Sequence, residues 1–274
     1  MAIGTASPQV PSAPIRFRRS ARRLTPGQAQ LLRDGFAAMM AIGDDRGYAF
    51  YAGLHGLPRP MECDIAHGRP YFLPWHRAYL YFFERALRDR VPDAMLPWWD
   101  WRTPTIPALF ARREAPGGAA NPLFSASVDP VALEQGRRAR PPVLAAAITV
   151  RQPGLPGAPD LPTTAEVREA LAQPDFMSFS EYLEELHNRV HVWVGGRDGH
   201  MSKVAYASYD PIFWAHHTMI DRLWRLWQLG HPGGTPPASI LRTALPPFAM
   251  TVEQTLDTPT LGYDYAAATS STPR

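Results

Sequence analysis

Cysteine is almost absent from this sequence. Cys63 stands alone, so no disulfide can form within the chain. Lysine is equally scarce: Lys203 is the only one, and every other basic residue is arginine. Neither sign of charge is in large excess, since 28 basic against 25 acidic residues leave +3. With alanine and proline also abundant, the arginine bias reads as a compositional habit rather than a nucleic-acid footprint. Long apolar runs are missing too. The longest, Val143 to Val150, holds eight residues with Thr149 inside it, against roughly 20 needed to cross a membrane. No apolar stretch follows Met1, which argues against a cleaved secretory leader and for a cytoplasmic location. At 45% hydrophobic and 19% charged, the composition is that of a globular chain, and 274 residues suffice for a full core.

Proline, by contrast, is plentiful, and it divides the chain. Residues 104 to 162 hold eleven of the thirty prolines and read as a long irregular excursion, with room for short helices only. Outside it five helices are expected. Thr25-Pro26-Gly27-Gln28 is a capping box with proline at the first helical position, followed by Leu32, Phe36, Met39 and Met40 at helical spacing. A second helix covers Tyr48 to Leu54 and ends near His55. The third runs from about Pro74 to Arg90, stopped by Pro92. The fourth opens with the capping box Ser178-Phe179-Ser180-Glu181 and ends at Gly195-Gly196. The fifth starts at Asp210-Pro211 and runs to Gly230. The expected fold is mainly α: one domain, a four-helix bundle with long irregular loops and few or no strands.

A cluster of arginines, Arg16, Arg18, Arg19, Arg22 and Arg23, precedes the first helix. It suits a phosphate-binding arm, a twin-arginine export signal, or a solvated or ion-paired segment. The export reading fails, because Leu24-Thr25-Pro26-Gly27 stands where an apolar stretch is needed. We favour the solvated or paired segment.

The placement of the nine histidines is more informative. His187 and His191 are one turn apart, with side chains about 40° apart around the helix and about 6 Å apart along it, so both can reach one metal ion. They lie on an apolar face, where two neutral imidazoles need partners and ligation would supply them. His217 on the fifth helix and His76 on the third also face inward, and His67 in the preceding loop can fold back toward His76. Paired histidines on one helix and single inward histidines on others suit a bundle metal centre. The six divide as His55, His67 and His76 for one ion and His187, His191 and His217 for another. No carboxylate sits at ligand spacing, which disfavours iron, manganese and magnesium and leaves copper or zinc. A three-histidine zinc site needs only one such cluster, so two clusters tilt toward copper. The competing reading is a set of hydrogen-bonded core histidines.

Several longer stretches resemble a known family. His67-Gly-Arg-Pro-Tyr-Phe-Leu-Pro-Trp-His76-Arg77, with Glu84 beyond it, is similar to the first copper signature of the tyrosinase family of type 3 copper proteins. Asp210-Pro-Ile-Phe-Trp-Ala-His216-His217-Thr-Met-Ile-Asp221-Arg-Leu-Trp224 is similar to the second, and His187-Asn188-Arg189-Val190-His191 to the segment between them. Leu96-Pro-Trp-Trp-Asp-Trp101 and the late Tyr263-Asp264-Tyr265 resemble further landmarks. The resemblance covers residues 16 to 265.

The resemblance implies two copper ions that bind O2 between them, and a single copper domain over the chain with no C-terminal shielding domain. It makes His217 the ligand and leaves His216 beside the metal without binding it. Asp221 would orient a ligand or pair with an arginine, and one of Arg16, Arg18 or Arg19 would hold Tyr263 or Tyr265. His200 and His231 match no ligand position and read as surface or loop residues. Family members often carry a thioether between a cysteine and the second ligand two residues later; here Cys63 is four before His67, and a buried free thiol is the alternative. Asn188, with Glu184 (or Glu181), would hold a catalytic water, and Val204, thirteen before His217, would leave access open. The implied activity is ortho-hydroxylation of monophenols and oxidation of o-diphenols to o-quinones. The alternatives are a catechol or o-aminophenol oxidase without hydroxylase activity, an O2 carrier of the hemocyanin kind, and a zinc protein. Expected partners are small phenols, O2 and a copper-delivery protein; no nucleic acid and no membrane.

Overall fold

The computed structural model describes residues 14–59 and 70–266. Cys63 and His67 lie outside the described residues. Eight α-helices appear among those described: α1 (Pro26–Met40), α2 (Tyr48–Ala52), α3 (Phe72–Arg90), α4 (Ala108–Ala111), α5 (Pro130–Arg138), α6 (Thr164–Leu171), α7 (Phe176–Gly195) and α8 (Ile212–Gly230). Two three-residue strands, β1 (Arg16–Arg18) and β2 (Tyr263–Tyr265), form a parallel pair in the register Arg16↔Tyr263, Phe17↔Asp264 and Arg18↔Tyr265. No described helix is long and apolar enough to cross a membrane.

The helix ends follow the local chemistry, with some displacements. Thr25 caps α1 as expected: its hydroxyl accepts from Gln28 N and the Gln28 side chain accepts from Thr25 N. α3 starts at Phe72, two residues before Pro74. Proline is tolerated there because the first N–H groups of a helix have no intrahelical acceptor. α7 starts at Phe176 rather than Ser178. Asp175 supplies the cap, accepting from Ser178 N at 3.0 Å and from Ser178 Oγ at 2.8 Å, so the expected capping serine is itself held by the true cap. Ahead of α8, Asp210 accepts from Ile212 N at 3.1 Å. α6 was not among the expected helices, although Thr163 and Glu166 form its capping box. The stretch 104–162 is irregular apart from α4 and α5.

Packing is centred on α3, α7 and α8, which contact one another in all three pairings, while α1 lies on α3 and α2 on α1. Their inward faces carry the largest buried side chains, among them Trp75, Tyr79, Trp214, Trp224 and Trp227. Trp214 stacks on Phe83 at 3.5 Å between ring centres and donates from its indole N–H to Tyr48 Oη at 3.2 Å, so α8, α3 and α2 are tied by oriented contacts as well as by buried area. Two glycines are required by geometry. A Cβ at Gly56 would lie 2.6 Å from Ala205 O, and Gly196 ends α7 with φ +58° against Gln152 O. The first brings the turn after α2 against residues 204–205; the second lets the chain leave α7 beneath the 150–154 segment.

Candidate metal centre

Four elements deliver histidines to one place. His55 comes from the turn just after α2, His76 from the first turns of α3, His187 and His191 from α7, and His216 and His217 from the start of α8. All are buried except half-exposed His191. Their ligating atoms form two overlapping groups, each within 4.8 Å: His187, His191, His216 and His217, and His55, His76 and His217. The structure therefore brings together five of the six histidines expected as ligands; the sixth, His67, is outside the described residues. Expected only as a neighbour, His216 lies inside the first group and stacks on His187 at 5.0 Å. His217 belongs to both groups and stacks on His76 at 4.5 Å.

Ring orientation is fixed from behind. His76 Nδ1 lies 2.8 Å from Phe72 O, His191 Nδ1 2.8 Å from Met201 O, and His187 Nδ1 3.1 Å from Asn188 Oδ1. Each of these oxygens can only accept, so each Nδ1 carries the proton and each Nε2 presents a lone pair. Outer hydrogen bonds of this kind orient metal-ligating imidazoles. On the inner side, His187 Nε2 and His191 Nε2 each lie 3.3 Å from His217 Nε2. Three nitrogens thus converge with at most one proton among them. Burial, together with neighbouring His76, His187, His216 and His191, holds His217 neutral, its pKa far below the ordinary histidine value. Burial and the neighbouring His191 and His76 do the same for His216. Converging neutral imidazoles with their lone pairs directed inward fit a borderline metal ion, and copper or zinc in particular.

The walls are aromatic. Phe213 lies 4.1 Å from His217 and 4.7 Å from His55, and Phe72 lies 5.0 Å from both His76 and His187 (ring centres). Toward the surface, Asn188 is exposed and Glu184 half-buried, one turn apart on α7 and so on one face of it. Val204 is 56% exposed. Its segment packs on the turn that carries His55, through Gly56 and the bond from Leu57 N to Ala205 O at 3.0 Å.

One turn beyond His217, Asp221 meets the arginine alternative rather than a ligand. It receives Arg18 Nη1 at 3.0 Å, Arg77 Nε, Tyr263 Oη at 2.7 Å and Tyr265 Oη. Arg18 also bonds both oxygens of Glu84, at 3.1 and 3.2 Å, and its guanidinium carbon sits 3.7 Å from the centre of the Tyr263 ring. Of the arginine cluster, Arg18 is thus the member that holds the tyrosines. Burial works to raise the Asp221 pKa, but Arg77, Arg18 and the Tyr265 hydroxyl together hold it below the usual carboxylate range.

His200, expected at the surface or in a loop, lies in the loop after α7 but is fully buried. Val150 N donates to its Nδ1 at 3.0 Å and its Nε2 donates to Ala146 O at 3.0 Å. It therefore anchors the turn whose next residue, Met201, orients His191. His231 caps the end of α8 and stacks on Trp227 at 4.7 Å. Sequence reasoning missed the carbonyls of Phe72 and Met201, and only the spacing from Phe72 to His76, one helical turn, could have signalled either.

Comparison with known proteins supplies the remaining context. Residues 45–229, more than half of the chain, match the family described as the common central domain of tyrosinase. The chain is 34% identical over 205 residues to a tyrosinase of Streptomyces glaucescens, covering 66% of this chain and 73% of that one. It is 33% identical over 230 residues to a G-type hemocyanin of Enteroctopus dofleini, covering 78% of this chain but only 7% of that much longer polypeptide. Among solved structures, an octopus hemocyanin functional unit superposes with a TM-score of 0.76 at 29% identity, over 92% of this chain and 68% of that one.

Proposed function

The chain belongs to the tyrosinase family of type 3 copper proteins, and on that premise we propose that it oxidises phenols with O2 at its dinuclear copper centre. His55, His67 and His76 would hold one ion and His187, His191 and His217 the other. When bound, the copper pair supplies O2 activation and the electron transfer that phenol oxidation requires.

The protein's own part is positioning, exclusion of water and proton handling. Phe72 and Phe213 keep the nitrogens dry, and the Nδ1 bonds hold the three Nε2 lone pairs inward. A phenol of pKa near 10 must lose its proton before binding as phenolate. Asn188 and Glu184 are proposed to hold the water that takes it. The Asn188 oxygen is engaged with His187 Nδ1, which leaves its amide N–H groups to meet that water. Monophenol hydroxylation followed by oxidation of the o-diphenol to the o-quinone is the reading we favour.

The observation that carries it is Val204: a small side chain, 56% exposed, on the segment packed against the His55 turn. A substrate approaching there meets no bulky ring at that position. The test is oxygen uptake by the copper-loaded protein with a monophenol and with a catechol. Quinone from both supports the proposal, and quinone from catechols alone reduces the activity to catechol oxidation. The similarity to hemocyanin units favours O2 carriage as the second reading, and reversible O2 binding without turnover of either phenol would establish it instead.

A further inference from the structure

A second cavity, of about 620 Å³, lies within the irregular stretch and carries no histidine. Its walls include Ile106, Phe124, Ile148, Val150 and Trp193. That volume lies within the range of small-molecule sites, which are mostly apolar with a few polar anchors. Trp193 is two residues beyond His191 on α7, so the two side chains project about 200° apart around the helix, and the cavity is on the far side of α7 from the histidines.

Two arginines line it, and they differ in state. Arg151 is committed: its side chain is only 7% exposed, its Nε is 2.8 Å from both carboxylate oxygens of Asp210, and its remaining nitrogens bond Phe110 O and Leu123 O. It fastens the irregular stretch to the start of α8 and adds no net charge. Arg113 is exposed and stacks its guanidinium carbon 5.0 Å from the centre of the Phe124 ring. Among the described residues no carboxylate lies within ion-pair distance of it. At the rim, Ile148 and Val150 remain 50% and 44% exposed, apolar surface beside a cation that no described carboxylate neutralises.

We infer that this cavity binds a planar aromatic carboxylate of one or two rings. Trp193 offers a ring for stacking, Phe124, the isoleucines and Val150 flank it, and Arg113, held beside Phe124, meets the carboxylate with its planar fork of N–H donors. The anion supplies the missing counter-charge and the ring removes exposed apolar surface from water. Occupancy requires no copper.

Calorimetric titration of the full chain with 2-naphthoate, free of metal and again loaded with copper, tests this. We expect one site in both forms, binding about tenfold weaker in Arg113→Gln, with partial recovery in Arg113→Lys. The neutral isostere 2-naphthamide should bind the wild-type protein about tenfold more weakly than the acid. Arg113 is exposed, so the variants should keep the far-ultraviolet spectrum of the parent. Binding only in the copper-loaded form, equal affinity in Arg113→Gln, or equal affinity for the amide would each overturn the inference.

Discussion

Two buried polar clusters share helices α3 and α8, one turn apart, and they solve the same problem in opposite ways. Arg18, Arg77, Glu84, Asp221, Tyr263 and Tyr265 satisfy one another: every charge faces an opposite charge, and the carboxylates accept hydroxyl and N–H donors. Around His217 nitrogen faces nitrogen at 3.3 Å, and both ring nitrogens of His216, with Nδ1 of His217, have no hydrogen-bond partner among the described residues. A cluster complete in itself serves the fold. One that leaves buried nitrogen lone pairs facing each other costs stability unless something else completes it. The contrast identifies which cluster is structural and which is reserved for metal.

The largest expected effect falls on the complete cluster. Asp221→Ala leaves Arg77 buried without its carboxylate and Arg18 with Glu84 alone, and should cost about 3–5 kcal/mol, a large fraction of a domain's net stability. A urea transition of the metal-free protein measures this, and a loss below about 1 kcal/mol would remove the structural reading. Next comes His217→Leu, which takes away the nitrogen common to both histidine groups. Copper affinity, followed by metal content after dialysis, should fall by more than about 100-fold, beyond what losing an outer hydrogen bond costs. The metal-free variant should be no less stable than its parent, because a neutral ring with an unsatisfied buried nitrogen has gone. A clear stability loss in the absence of copper would show instead that the histidines are hydrogen-bonded core residues.

The smallest effect concerns His200, buried in the turn between α7 and α8. Burial outweighs the Ala146 hydrogen bond and the charge of Asp210, and lowers its pKa in the folded state. The unfolded chain, with an ordinary histidine pKa near 6.5, then binds its proton first. His200 therefore contributes stability that is present above about pH 6.5 and is lost as pH falls below it, by at most about 1.4 kcal/mol per pH unit. His200→Asn should flatten the dependence of the melting temperature between pH 7.5 and 5.5. Equal slopes in parent and variant would assign that dependence to the other buried histidines.

Much of this is legible in the sequence, and the limits have physical causes. The His187–His191 pair and the inward His76 and His217 follow from helical periodicity, which acts over one turn. The choice between neighbours does not. His216 and His217 both end up within the cluster, because the start of α8 is buried on every side and periodicity then singles out no face. Arg18 could not be separated from Arg16 and Arg19 by composition, since what selects it is a partner strand more than 240 residues away in sequence. The Met201 carbonyl that orients His191 is a main-chain group and leaves no trace in residue identity. The irregular stretch was recognisable by its prolines, yet its cavity depends on how Arg151 ties it to Asp210. Helix α6 was signalled by Thr163 and Glu166, but it is too short for periodicity to support the capping box.

The β1–β2 pair has a consequence for the order in which the molecule assembles. Residues 16–18 can pair as a strand only once residues 263–265 exist, and joining segments so distant in sequence carries a loop-closure entropy, while Arg18 meets Glu84 and Asp221 without them. Helices α3, α7 and α8 are all translated before β2, so the histidines can be gathered while Asp221 still lacks Tyr263 and Tyr265. The strand pair is a latch that needs both ends of the chain, and a chain interrupted before residue 263 would carry every histidine of the centre but not the hydroxyls that complete the charge cluster beside it.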